Sequence, residues 1–153
     1  MGNPILGDDK AGLLVAQKLK EKLSDNHPNI NIIEYSGNAM KLAEMMLGYD
    51  RVLIADCFKA ETSSNDRDII ILSYKKETES GEFNALEPHD IDLFSALNLL
   101  RKFFPDEIPD EIKIFGIKCN SSFTFSEEIS EKTAHLIDRV VNLILNEVEV
   151  KNK

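Results

Sequence analysis

The sequence has no tryptophan, two cysteines, five prolines and seven glycines in 153 residues. So little glycine and proline excludes a collagen-like or low-complexity chain. Two cysteines outside any Cys-x-x-Cys spacing exclude a disulfide-stapled or zinc-ribbon scaffold. Cys57 and Cys119 read as separate small apolar residues suited to a reducing compartment, and no disulfide is expected. Basic residues are the minority: 18 Lys and Arg stand against 27 Asp and Glu, a formal charge of −9. Such a surface repels phosphate backbones, so nucleic acid is not expected as a partner. No apolar run nears the roughly 20 residues that span a bilayer, and the N-terminus lacks the basic-then-apolar order of a signal peptide. A cytoplasmic protein without membrane insertion is expected. What is present, 42% hydrophobic and 29% charged residues, suits one globular domain over 1–153.

Leu13, Leu14, Ala16, Leu19 and Leu23 recur at helical spacing between Gly12 and Ser24 and predict a surface helix. Ile30, Ile32 and Ile33 behind His27-Pro28 predict a strand over Asn29 to Tyr35. Asn38 to Gly48 reads as a helix, with Asn38 as its N-cap and Gly48 just past its end. Tyr49 to Phe58, with its unbroken Val-Leu-Ile-Ala centre, is the clearest strand, of the kind buried on both faces. A polar loop from Lys59 to Asp68, a strand from Ile69 to Tyr74 and a charged loop from Lys75 to Glu82 follow. Ile91 to Phe104 predicts a helix stopped by Pro105, and Ile112 to Ile117 a short strand. Phe125 to Glu149 predicts a long closing helix, with Ser126 and Ser130 as rival N-caps. Strands alternating with helices indicate an α/β fold: a three-layer α/β/α sandwich whose twisted sheet is mostly parallel, with helices on both faces.

Gly2-Asn3-Pro4-Ile5-Leu6-Gly7-Asp8-Asp9 reads as the turn at the carboxyl end of a first strand, yet only Met1 precedes it. A first strand missing from the sequence as given is the expectation, because an unfilled slot leaves backbone N–H and C=O groups unpaired. Asp9 and Asp8 fall in this loop, Asp56 interrupts an apolar strand at its carboxyl end, and His89 lies in a loop just before a helix. Each alone suits a cap or a packing role. Together, Asp9, Asp56 and His89 fall where the chain leaves the sheet. Two carboxylates and an imidazole form an oxygen/nitrogen set suited to a divalent metal such as nickel, zinc or manganese. His-Glu-x-x-His, Gly-x-Ser-x-Gly and Walker spacings are absent, and Gly2 to Gly7 does not match Gly-x-Gly-x-x-Gly. The segment from Cys119 to Phe125 mixes aromatic and hydroxyl residues that could either line a cleft or bridge to the helix.

The opening Gly2 to Asp9 stretch, the Asp56 strand end, Pro88-His89 and Ile114-Phe115-Gly116-Ile117 occur in the order of landmarks in a known family. On these residues the chain resembles the nickel-iron hydrogenase maturation endopeptidases over nearly its whole length. The resemblance implies a monomeric hydrolase of aspartic or metal-dependent type. Its expected activity is to remove the C-terminal extension of a hydrogenase large-subunit precursor after nickel insertion, which activates the hydrogenase. It further implies that Asp9, Asp56 and His89 touch nickel carried by the substrate, for which cadmium or zinc can stand in, with Asp8 as a supporting carboxylate. A non-catalytic metal-dependent binding module or chaperone for the same partner is the alternative. Three departures stand out: the missing strand, Lys10 where glycine is usual, and Tyr35-Ser36-Gly37-Asn38 in place of a carboxylate-bearing stretch.

Overall fold

The computed structural model describes residues 1–23, 27–59, 68–75, 88–119 and 128–151. The described elements are a 3-10 turn at Gly7–Lys10, α1 (Ala11–Leu23), α2 (Ala39–Met45), β1 (Arg51–Lys59), β2 (Ile69–Lys75), α3 (Pro88–Phe103), β3 (Glu111–Cys119) and α4 (Glu131–Lys151). The fold is mixed α/β, the class expected from the alternation of apolar patterns.

The three described strands pair in the order β1-β3-β2. The amide N–H groups of Asp110 and Glu111, at the start of β3, both donate to the Asp50 carbonyl just before β1, which sets those two strands parallel. Lys118 N–H near the end of β3 donates to the Asp68 carbonyl just before β2, so that pair runs antiparallel. The sheet is therefore mixed, a direction of travel that apolar runs alone do not encode. Central β3 hides Ile112, Ile114, Phe115, Ile117 and Cys119 from solvent. A strand with neighbours on both sides has no solvated edge and can be apolar along its length.

The predicted strand over Asn29 to Tyr35 is not a strand among the described residues; its Tyr35 carbonyl accepts from Gly2 N–H at 3.2 Å. Asn38 caps α2 as expected, its Oδ1 accepting from Lys41 N–H at 2.9 Å. Gly48 follows with φ 81°, the left-handed conformation that favours glycine beyond a helix end. α3 begins at Pro88, three residues before the predicted start, with proline's preset φ suiting the first helical position. His89 is therefore the second residue of a helix and not a loop residue. Ser130, not Ser126, caps α4: its Oγ accepts from Thr133 N–H at 3.2 Å. Ser126, most of the loops predicted over 59–68 and 75–82, and 120–125 of the segment from Cys119 to Phe125 lie outside the described residues.

The chain divides into two compact units. In the unit of 1–36, 54–71 and 114–153, α1 packs on α4. Ala11, Val15 and Leu19 of α1 are buried, as are Ile137, Val140, Val141 and Ile144 of α4. Each larger side chain among these contributes about 1.5–3 kcal/mol by leaving water. In the unit of 37–53 and 72–113, α2 packs on α3, with Leu42, Ala43, Leu93, Ala96 and Leu97 buried. No helix among the described residues is long and apolar enough to cross a membrane.

Candidate active site

The loop after Gly2 is shaped by its own backbone. Asn3 Oδ1 accepts from Ile5 N–H at 3.2 Å, and the Asn3 carbonyl accepts from Leu6 N–H at 3.3 Å. Asp9 N–H then donates to the Leu6 carbonyl at 2.8 Å as the chain winds into the 3-10 turn. Two glycines allow this turn to sit close to its neighbours. A Cβ on Gly2 would lie 2.2 Å from the Asp9 carbonyl oxygen, and one on Gly12 would meet the carbonyls of Met1 and Ala55 at 2.1 and 2.3 Å. Backbone cannot retreat as a flexible side chain can, so both positions require glycine.

This packing brings the loop against the middle of β1, at Ala55. The Met1 amine donates to the Ala55 carbonyl, one residue before Asp56. Burial holds that amine below its ordinary value, while the negative charges of Asp56 and Asp9 oppose the shift. Asp9 and Asp56 both act on that amine, and Asp56 lies in the carboxyl-terminal half of β1, which runs on to Lys59, and not at its very end as the sequence suggested. Both are half-buried. Asp56 Oδ1 also accepts from Cys57 N–H at 2.9 Å, which orients its carboxylate.

Asp8 turns to a different partner. Its Oδ1 accepts from Ser130 N–H at 2.8 Å and its Oδ2 from the Ser130 hydroxyl at 2.9 Å, so the carboxylate holds the N-terminus of α4. Nothing in the spacing of the sequence signalled this bond across 122 positions. His89 belongs to the other unit, and its side chain lies outside the described residues. Among the described residues no three His, Cys, Asp or Glu side chains form a metal cluster.

The cysteines require a correction. Cys57, on β1, and Cys119, the last residue of β3, are joined in a disulfide with Cα atoms 6.0 Å apart. Parallel neighbours in register bring equivalent strand ends together, and two isolated cysteines read without that register gave no sign of meeting. Cys119 Sγ also lies 3.4 Å from the Asp8 carbonyl oxygen, so the bonded pair abuts the acidic loop. The departure at Tyr35 to Asn38 acquires a structural use: Tyr35 supplies a carbonyl to Gly2, and Asn38 caps α2.

The mixed sheet and its helices define an α/β protein. Comparison with known proteins narrows the class. Residues 13–147 match the HycI family, described as hydrogenase maturation protease. The chain is similar to the hydrogenase maturating endopeptidase HybD of Escherichia coli, at 20% identity and a TM-score of 0.68, covering 98% of this chain and 89% of that one. A second endopeptidase structure from Escherichia coli gives 22% identity and a TM-score of 0.72, covering 99% and 90%. The [NiFe] hydrogenase maturation protease HycI of Thermococcus kodakarensis gives 25% identity and a TM-score of 0.61, covering 94% and 85%. No curated protein matches the chain by sequence. The chain belongs to the hydrogenase maturation protease family.

Proposed function

We propose that this protein is the endopeptidase that removes the C-terminal extension of a nickel-iron hydrogenase large-subunit precursor once nickel has been inserted. The observation that supports it most directly is that the turn carrying Asp9 and the start of α1 pack against β1 beside Asp56, where a Cβ on Gly12 would meet the Ala55 carbonyl at 2.3 Å, in a chain of this family. Asp9, Asp56 and His89 contact the nickel carried by the substrate, as the resemblance of the sequence implies. Three protein ligands leave coordination positions for donors of the substrate. Contact with the cargo metal holds the scissile amide in one orientation, which is itself a large part of a hydrolytic rate. Water adds to the scissile carbonyl carbon, the C–N bond breaks, and the departing amine takes a proton. The aspartates act on a substrate that presents nickel. The protein works as a cytoplasmic monomer.

Incubation with nickel-loaded precursor tests this. A mass loss equal to the C-terminal extension is expected, whereas binding without cleavage identifies a docking module in place of a peptidase. Zinc or cadmium alone should bind weakly, and Asp9→Ala and Asp56→Ala should abolish that binding. An imidazole binds metal only when neutral, and its ordinary pKa is about 6.5. Affinity should therefore fall between roughly pH 7 and 5.5, and His89→Ala should flatten the fall. A curve flattened by His27→Ala or His135→Ala instead removes His89 from the site.

A further inference from the structure

Thr133 is the one buried polar side chain among the described residues, 1% exposed, and belongs to none of the groups expected to touch substrate. Its hydroxyl lies 2.9 Å from that of Ser130. The Ser130 hydroxyl has a single proton. An ionised carboxylate can only accept, so that proton goes to Asp8 Oδ2, and the Thr133 hydroxyl must donate to Ser130 Oγ. Thr133 N–H donates to the same Oγ at 3.2 Å. The result is a directed chain from the α4 backbone through Thr133 and Ser130 to Asp8, each step satisfying a polar group that would otherwise be costly to bury.

This chain ends one residue from Asp9. The Asp8 carbonyl accepts from Ala11 N–H, and the Asp9 backbone is pinned below by the Leu6 carbonyl and by close approach to Gly2. A carboxylate anchored to α4 at Asp8 therefore determines where the next side chain emerges.

We propose that Ser130, backed by Thr133, is a positioning residue that sets the Asp9 carboxylate through Asp8; the assignment rests on Asp9 touching metal as read above. It also gives Asp8 an orienting role and not that of a proton acceptor. Hydrogen-bond partners of metal ligands typically change affinity or activity by about 10- to 100-fold when removed, and a partner one residue removed belongs at the lower end.

The test measures zinc affinity by calorimetry and precursor cleavage for Ser130→Ala, Ser130→Thr, Thr133→Val, Asp8→Ala and Asp8→Asn, with thermal midpoints recorded alongside. Ser130→Ala and Asp8→Ala should weaken zinc binding and lower kcat by about tenfold, with KM for the precursor little changed. Ser130→Thr, which keeps the hydroxyl, should restore both. Thr133→Val is expected to lose less. Asp8→Asn retains an acceptor for Ser130 N–H and should keep most of the affinity and rate. Equal losses in Asp8→Asn and Asp8→Ala overturn the orienting role, because charge and not position would then be what matters. A Ser130→Ala protein with a lowered midpoint but unchanged zinc affinity and kcat reduces Ser130 to a helix cap. Asp9→Ala distinguishes the two levels. If it abolishes zinc binding while Ser130→Ala changes nothing, only the positioning role falls. If it binds zinc like wild type, the metal-contact reading of Asp9 falls and takes the positioning role with it.

Discussion

The two ends of β1 are built on opposite electrostatic plans. At its start, Arg51 Nε lies 2.7 Å from Glu111 Oε2 at the start of β3, and Lys113 Nζ lies 3.7 Å from the other oxygen of the same carboxylate. Opposite charges on adjacent strands answer one another there, at 16% and 13% side-chain exposure for the closer pair. In its second half, the turn carrying Asp9 packs against the strand beside Asp56, bringing two charges of one sign to the same side, and a covalent cross-link at Cys57 stands next to them. Charges that cancel hold strands together; charges of one sign brought together raise the local demand for a cation. One end pairs opposite charges; the other brings like charges near each other, as the proposed function requires.

The largest expected effect comes from removing the covalent part of the carboxyl end. The Cys57–Cys119 bond spans 62 positions, and closing a loop of that length in the unfolded chain is worth about 4 kcal/mol in the chain-entropy account. Cys57→Ser, or reduction with dithiothreitol, should lower urea stability by that order. Stability unchanged by reductant would show that the two sulfurs are not bonded in solution, and would leave the acids as the only special feature of this end.

Much of this contrast was readable beforehand, and what escaped was the relation between distant elements. Asn38 declared the start of α2 because its short side chain suits an N-cap, and the apolar centre of β1 declared a strand, although Val52 and Leu53 in it are only half-buried. Asp56 stood out because a carboxylate in such a strand needs a purpose. The direction of β2, the meeting of Cys57 with Cys119 and the bond of Asp8 to Ser130 all depend on register and chain path, which local periodicity does not carry. Asn29 to Tyr35 failed as a strand for a related reason. Isoleucine density favours a strand, but a strand also needs a ladder partner, and none is assigned to this stretch among the described residues. His89 moved from loop to helix because Pro88 begins helices as readily as it ends them.

A smaller effect is expected at the opposite end of β1. Glu111→Gln leaves the Arg51 guanidinium mostly out of water without its countercharge. Full burial would make that cost about 3–5 kcal/mol and full exposure less than about 1, so the remaining solvent contact argues for about 2 kcal/mol by urea unfolding. Replacing both residues, Arg51→Met with Glu111→Leu, should recover most of the loss, because the attraction of such a pair barely exceeds the cost of desolvating it. Failure of the double variant to recover would mean that the pair does more than balance itself. Neither variant should change zinc affinity if the two ends serve different purposes.

The smallest effect belongs to the solvent-exposed ion pairs, where the same attraction is screened. Lys18 on α1 lies 2.5 Å from Asp138 on α4, and its hydrogen bond holds the Asp138 carboxyl below its ordinary value of 3.8. Lys132 does the same to Asp68, and Lys20 with Gln17 to Glu34. A carboxyl depressed in the folded state binds its proton less readily there than in the unfolded chain, so its stabilising contribution is complete above the ordinary value and is lost as pH falls through the folded one. With side chains 44% and 62% exposed, the Lys18–Asp138 pair contributes well under about 1 kcal/mol. At roughly 2–4 °C per kcal/mol for a chain of this size, Asp138→Asn should lower the thermal midpoint by no more than about 2 °C at pH 7. That gap should close in high salt and again as the pH falls from 3.8 through the lower folded value, where wild type itself becomes protonated at this position. A gap that persists in both conditions would mean that Asp138 contributes through packing on α4 and not through charge, and would bring this surface closer in kind to the half-buried pair at Arg51.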